Sequence, residues 1–368
     1  MSTPDLPLTR VAAQGLGRRG FASVVEAAAG MLATQAQDLA GAKWALALRS
    51  STSIDDVDEA LDAGTLVRTW PMRGTLLVLA AADARWLTDL LAPRSFLASA
   101  GIWRRAGLDE EAFARARSVA ADVLAGGGAL GRTALVDALR DCGVDVADGR
   151  GAHILRRIAG DGVVVLGPTI GREQAFVLRD EWLVDSPRLE RDEALAALAA
   201  RYARSHGPAT VHDLAWWSGL TVSDTRRAVL LAGEAVARDR DGLLVAPDAP
   251  RPARPGSVRL LPGFDELLLG YSDRTASLRP EDLARVVPTS NGLFLATVTL
   301  DGRVRGTWRR TLVGSDGVDV AVTLFPRGAG DAPGALSAEG LREAVADCAA
   351  AFAAAHRRAL RLTITTGS

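Results

Sequence analysis

Apolar and polar positions in the first quarter of the chain follow a helical period, then a strand period. Ser23-Val24-Val25-Glu26 has the spacing of a capping box and predicts a helix running to about Leu32. Leu39, Ala42, Trp44 and Leu46 mark the apolar side of a second helix over 38–49. A third starts at Ser53-Ile54-Asp55-Asp56 and stops at Gly64, a residue suited to the left-handed conformation that ends helices. Residues 66–70 and 75–79 then read as strands about the turn Pro71-Met72-Arg73-Gly74. Three helices followed by a hairpin predict a winged helix.

The order recurs. Helices are predicted over 110–124, 132–142 and 151–159, before strands at 163–166 and 174–178 flanking Gly167-Pro168-Thr169-Ile170-Gly171. A third copy has helices at 192–205, 210–217 and 223–231, with Leu214 and Leu220 spaced for two helices to cross about a Ser-Gly-Leu-Thr turn. Its wing is predicted at 236–238 and 243–245 around Asp241-Gly242. The run Pro247 to Gly256, with four prolines, reads as a linker. Beyond it lie strands at 293–300, 304–311 and 318–325, a helix over 341–356 and a last strand at 360–365. The expected fold is α+β: three tandem winged-helix units (1–95, 96–185 and 186–250), then a small C-terminal β-barrel-like domain with one helix at 251–368.

Charge and composition narrow the function. The 368 residues carry 43 Lys+Arg against 44 Asp+Glu, a net charge of −1, which excludes bulk-charge coating of nucleic acid but permits a local basic face. Lys43 is the sole lysine, so amine-based lyase chemistry has one candidate. Cys142 and Cys348 make no disulfide framework, and His153, His206, His212 and His356 lack ligand spacing, so neither metal nor cofactor is expected. The opening MSTPDLPLTR lacks the apolar stretch of a signal peptide, and the apolar runs are alanine-rich and broken by charge. A cytoplasmic protein without membrane contact is expected, and no coiled-coil heptad or dimer stripe appears.

Helix-turn-helix units point to DNA, with a recognition helix for the groove and a wing for the backbone. In the third unit that helix begins Ser223-Asp224-Thr225-Arg226-Arg227. Trp70, Arg73 and the Trp308-Arg309 pair flank turns, as does Arg172, where aromatic and cationic groups can meet a duplex; hairpin core is the competing reading for both tryptophans. No Gly-x-Ser-x-Gly, Walker or His-Glu-x-x-His motif occurs. Gly15-Leu16-Gly17-Arg18-Arg19-Gly20 matches Gly-x-Gly-x-x-Gly, but no strand precedes it and it reads as a flexible turn. In Thr34-Gln35-Ala36-Gln37-Asp38 two glutamines at a helix junction are either polar caps or two amides aimed at one spot.

Several separated motifs resemble the winged-helix family of AlkZ-type DNA glycosylases over nearly the whole length. They are Gln35-Ala36-Gln37-Asp38 with Lys43-Trp44-Ala45-Leu46, Arg68-Thr69-Trp70-Pro71-Met72-Arg73-Gly74-Thr75-Leu76, Leu260-Leu261-Pro262-Gly263-Phe264-Asp265, Leu269-Gly270-Tyr271-Ser272-Asp273-Arg274, and Asp301-Gly302-Arg303-Val304 with Gly306-Thr307-Trp308-Arg309. The resemblance implies a monofunctional glycosylase that hydrolyses the N-glycosidic bond of N7-alkylated purines in double-stranded DNA, including bulky adducts and interstrand crosslinks. It carries catalysis onto Gln35 and Gln37, with Ala36 as apolar spacer and no cofactor or metal, and it implies a monomer. The DNA contacts expected are Arg73, Trp70, Arg172, Arg226, Arg227 and Arg309. One departure is Leu77, where many relatives carry histidine. The alternative is a winged-helix transcriptional regulator that binds DNA without catalysis.

Overall fold

The computed structural model describes residues 6–18, 20–289, 292–326 and 336–367. Residues 1–5, which entered the signal-peptide argument, and Arg19 of the glycine-rich turn lie outside them. The chain starts with α1 (Leu6–Ala13) and α2 (Val24–Met31), then a two-residue strand β1 (Thr34–Gln35), α3 (Leu39–Ser50), α4 (Ile54–Asp62) and the hairpin β2 (Leu66–Met72) and β3 (Thr75–Ala80). Ser23 Oγ accepts the Glu26 N–H at 3.1 Å, while Glu26 reaches back to the N–H of Ala22, one residue before the one a capping box uses. Ser53 and Asp56 form the full box on α4. Arg73 and Gly74 both have positive φ, 52° and 69°, as a two-residue type I′ hairpin turn requires.

A 25-residue helix follows, α5 (Ala81–Arg105), which the periodicity did not reveal. Its first half is buried on almost every side, from Asp83 to Thr88 and Leu90 to Ala92, so no apolar stripe stands out. It runs unbroken through residue 95, where the sequence placed a unit boundary. After it come α6 (Glu110–Leu124), α7 (Arg132–Asp141), α8 (Arg150–Gly160), β4 (Val164–Ile170), β5 (Glu173–Leu178) and the single turn α9 (Arg179–Trp182). The two hairpins share one sheet, ordered β1-β3-β2-β4-β5, and join where Arg68 pairs with Leu166.

The third group is α10 (Arg191–His206), α11 (Val211–Ser218), α12 (Val222–Ala232) and a separate two-stranded ribbon, β6 (Ala237–Arg238) and β7 (Leu244–Val245). Gly219, in the left-handed region at φ 74°, ends α11 and turns the chain into α12. The proline-rich stretch leads to β8 (Val258–Leu261), α13 (Glu266–Leu269), α14 (Leu283–Val286), β9 (Thr297–Leu300), β10 (Arg303–Val313), β11 (Gly317–Leu324), α15 (Ala338–Ala355) and β12 (Ala359–Thr366).

These C-terminal strands do not close, which corrects the barrel-like expectation. The order is β12-β11-β10-β9-β8, an open sheet with β8 and β12 at opposite edges. β12 pairs parallel with β11 at one edge, which needs a crossover connection. Helix α15 is that crossover, and it covers one sheet face, supplying the burial that closure would have provided. Phe352 of α15 meets Trp308 and Trp44 edge-on, with ring centroids 5.0 and 4.9 Å away. One core therefore runs from Ala27, Trp44, Leu46 and Val78 through to Val298, Trp308, Val320 and Phe352.

A buried polar network also ties the C-terminal segment to the N-terminal helices. Arg49 and Asp265, both nearly inaccessible, form a two-pronged ion pair at 2.8 and 2.9 Å, and Gln14 accepts from Arg49 at 3.1 Å. Removing one partner of such a pair costs about 3–5 kcal/mol, because the other charge is left buried alone. Among the described residues, no helix is long and apolar enough to cross a membrane.

Candidate active site

Strand β1 ends at Gln35 and the chain bends at Gln37 and Asp38, so the Gln35 side chain is buried while that of Gln37 stands exposed. Ala36 is fully buried in the core beside α2 and α3, which is why a small apolar residue stands between two amides. Its backbone is held at both ends. The Ala36 N–H donates to Leu76 O at 2.8 Å, and its carbonyl accepts from Arg68 Nε and Nη2 at 3.0 and 2.8 Å. Gln35 is 9% exposed, and its Oε1 accepts the backbone N–H of Gln37 at 3.3 Å. The Gln37 side chain is exposed and has no hydrogen-bond partner among the described residues.

The next residue, Asp38, occupies the N-cap position of α3 without a side-chain capping bond. Its carboxylate lies 3.7 Å from Arg310 of β10, a weak ion pair across from the C-terminal sheet. Helix α3 is fixed from below by that sheet: Trp44 Nε1 donates to Leu260 O at 2.7 Å, and Trp308 Nε1 donates to Leu261 O at 2.7 Å. The motifs around Trp44, Leu260 and Trp308 thus act by holding the helix that begins at Asp38. Trp308 is core, 5% exposed, and Lys43 pairs with Asp58.

Cross-strand register puts Gln35 opposite Leu77, and Leu77 opposite Thr69. Leu77 is therefore the direct neighbour of Gln35, in a row that ends on fully buried Thr69, whose Oγ1 has no partner among the described residues. Leu77 itself is buried in the apolar core with Leu32, Val67 and Leu79.

The expected DNA contacts fall in different places. Arg73, half-buried at the hairpin turn, makes no hydrogen bond or ion pair among the described residues, and burial lowers its pKa. It lines a cleft of about 490 Å3 with Arg94, Ser95, Leu97, Ser218 and Gly219, and no carboxylate lines that cleft. Trp70 is half-buried and stacked on Phe176, centroids 6.5 Å apart and planes 8° from parallel, which puts it with the hairpin core. Arg172, Arg226 and Arg309 are exposed and unpaired among the described residues. Arg227 is exposed but held by Asp192 through bonds of 3.1 and 2.5 Å. Arg73 at one turn, Arg172 at another, Arg226 and Arg227 on α12 and Arg309 on β10 lie on separate elements.

Sequence reading missed Arg68, Gln174, Arg94 and Arg310. Arg68 stood inside a noted motif, but its partners are 32 and 106 residues away, beyond the reach of local spacing. Burial, opposed by Asp38, brings the Arg68 pKa down to about 10, so the guanidinium stays charged at neutral pH. Among the described residues no three His, Cys, Asp or Glu side chains gather as metal ligands.

A pair of amides on a braced loop, with exposed cations on separate elements, is compatible with an enzyme that works on nucleic acid. Residues 28–355 match the AlkZ-like DNA glycosylase family, and the chain belongs to it. It is therefore a DNA glycosylase, and the regulator alternative gives way. Among its relatives, the interstrand DNA cross-link repair glycosylase of Streptomyces sahachiroi is 26% identical over 343 residues, 86% of this chain and 89% of that protein. The solved structure of the Streptomyces sahachiroi DNA glycosylase AlkZ matches with a TM-score of 0.80 at 25% identity, covering 98% of each chain.

Proposed function

We propose that the protein hydrolyses the N-glycosidic bond of N7-alkylated purines in duplex DNA, bulky adducts and interstrand crosslinks included, with Gln35 and Gln37 as the catalytic pair. The observation that carries this reading is their arrangement: a half-restrained amide at Gln35, held by the Gln37 N–H, beside a free and exposed amide at Gln37. Alkylation at N7 makes the purine cationic, so it leaves without a general acid. Water adds to C1′ as the C1′–N9 bond breaks. The bonding pair neutralises the leaving base, and the water's proton passes to solvent. What remains for the enzyme is to place that water and face the oxocarbenium-like centre with carbonyl oxygen, which an amide can do without taking a proton.

The exposure of Gln37 suits a lesion that cannot enter a deep pocket, as a crosslink cannot. Three winged-helix units arranged along the duplex, with Arg73 and Arg94 in their cleft, would supply the backbone contacts, and Arg172, Arg226 and Arg309 are exposed cations for the flanks. Trp70 and Arg227 contribute less to that contact, being stacked on Phe176 and paired with Asp192. One chain carries both glutamines, so the reading needs no second copy and the protein acts as a monomer.

The test is incubation with a duplex carrying one N7-methylguanine, and separately one N7 crosslink, followed by alkaline cleavage at abasic sites. Release by wild type but not by Gln35→Ala/Gln37→Ala supports the reading. Release by the double variant at the wild-type rate sinks the paired-amide site.

A further inference from the structure

The Ala36 carbonyl and the Gln37 N–H are opposite ends of one planar peptide group. Arg68 grips the carbonyl end with Nε and Nη2, at 3.0 and 2.8 Å. The N–H end donates to Gln35 Oε1 at 3.3 Å. Because the peptide is planar, fixing the direction of its carbonyl fixes the direction of its N–H, and with it the bond that aims the Gln35 amide. A charged donor on the carbonyl also polarises the peptide and makes its N–H a better donor. The third arm of Arg68, Nη1, donates to Gln174 Oε1 at 3.3 Å, and Gln174 Nε2 is anchored on Gly167 O at 3.3 Å. Both belong to the second hairpin region, β4 and β5. The backbone of Arg68 is also the place where the two hairpins join.

We infer that Arg68 is a positioning residue for base excision, which orients the Gln35 amide through the Ala36–Gln37 peptide, and that Gln174 ties this orientation to the second hairpin. The inference rests on the glutamine pair being catalytic. Arg68 is suited to the task because its planar fork converges two bonds on one oxygen from a partly desolvated position. A lysine offers a point charge with no such geometry. Losing the fork leaves the loop in place, since the Ala36 N–H still bonds Leu76 O, but frees the peptide to tilt.

The experiment is single-turnover release of N7-methylguanine at saturating protein, with duplex affinity measured separately, for wild type, Arg68→Lys, Arg68→Ala and Gln174→Ala. A misplacement near 1 Å costs on the order of 100-fold in rate. Arg68→Lys and Arg68→Ala are expected to slow release by about 10–100-fold at nearly unchanged duplex affinity. Gln174→Ala should slow it several-fold. Added methylguanidinium is expected to restore much of the Arg68→Ala rate, a rescue that a misfolded protein would not show. Wild-type rates in the Arg68 variants overturn the inference and leave the glycosylase reading standing. Weaker binding with an unchanged saturated rate also overturns it, by making Arg68 a DNA contact. An Arg68→Ala protein too unstable to assay leaves the decision to Arg68→Lys and Gln174→Ala, whose wild-type rates would overturn the inference. Release by the Gln35→Ala/Gln37→Ala protein at the wild-type rate would instead sink the reading on which the inference rests.

Discussion

Leu77 is the cross-strand partner of Gln35, and the same row continues to Thr69, whose buried hydroxyl has no partner among the described residues. The row predicts opposite outcomes for two substitutions. Leu77→Ala opens a cavity and should cost about 2–5 kcal/mol. Leu77→His should cost measurably less at pH 8, because an imidazole of similar size can bond the Thr69 hydroxyl. Urea midpoints of the two variants, with Thr69→Val added to remove the hydroxyl, check this. If Thr69→Val leaves the cost of Leu77→His unchanged, the pairing is wrong.

Asp38 is the carboxylate adjoining Gln37; among the described residues its one ion pair is the 3.7 Å contact with Arg310, and its charge also supports that of Arg68. If amide carbonyls suffice for a cationic leaving base, Asp38→Asn should keep release within a few-fold of wild type, whereas Gln35→Ala and Gln37→Ala should each lose about 10-fold or more. Single-turnover rates on N7-methylguanine decide. A loss in Asp38→Asn as large as that of the double glutamine variant would move water activation onto the carboxylate.

Arg73 is a half-buried cation with no ion pair among the described residues, in a cleft lined by no described carboxylate. Such a group gains a partner when a phosphate arrives. Arg73→Gln should weaken binding to every duplex about equally and reduce the slope of log affinity against log salt by about 0.9, the value for one phosphate contact. Titrations at several salt concentrations with undamaged DNA measure it. An unchanged slope removes Arg73 from the DNA interface.

His206 is fully buried, stacked on Tyr202 with ring centroids 4.6 Å apart, and its Nε2 lies 3.5 Å from Glu266. Burial lowers its pKa below 6.5 despite the nearby carboxylate, helped by Arg49 and Arg10. The unfolded chain therefore takes up a proton below about pH 6.5 that the folded chain refuses. Stability is complete well above that pH and falls as pH drops through it, by at most about 1.4 kcal/mol per pH unit for one group. The half-buried His356 is shifted the same way and adds to the slope. Asp213 acts in a lower window: burial opposes its charge, but bonds from Thr210 and Ser272 hold its pKa below 3.8, so its contribution is lost only in stronger acid. Urea midpoints at pH 7.5 and 5.5 should differ for wild type and differ less for His206→Gln. Equal differences would assign the slope elsewhere.

Much of this was legible in the chain because it was local. The capping residues at Ser53 and Asp56 and the glycine after α4 are decided by neighbours within four residues, and each appeared where the sequence placed it; the hairpin turn was placed over 71–74, but β2 runs on to Met72 and leaves only Arg73-Gly74 in the turn. Helix α5 was missed because burial all around removes the stripe that marks a helix. The open C-terminal sheet was missed for a different reason: alternation along β10 and β11 tells which face is buried, not whether the edge strands meet. Gln35 and Gln37 could be singled out only by family resemblance, since two glutamines near a helix start are common. Arg68 and Gln174 were hidden by distance along the chain, and only the joined hairpins bring them to the loop.

That joining has a consequence for how such a protein can arise and change. The second hairpin covers the β2 edge of the first, and Gln174 leans on an arginine that belongs to the other half. Splitting the gene between them would leave an uncovered strand edge on each fragment, a surface prone to pairing with other chains. Neither hairpin can therefore be exchanged alone without exposing a strand edge.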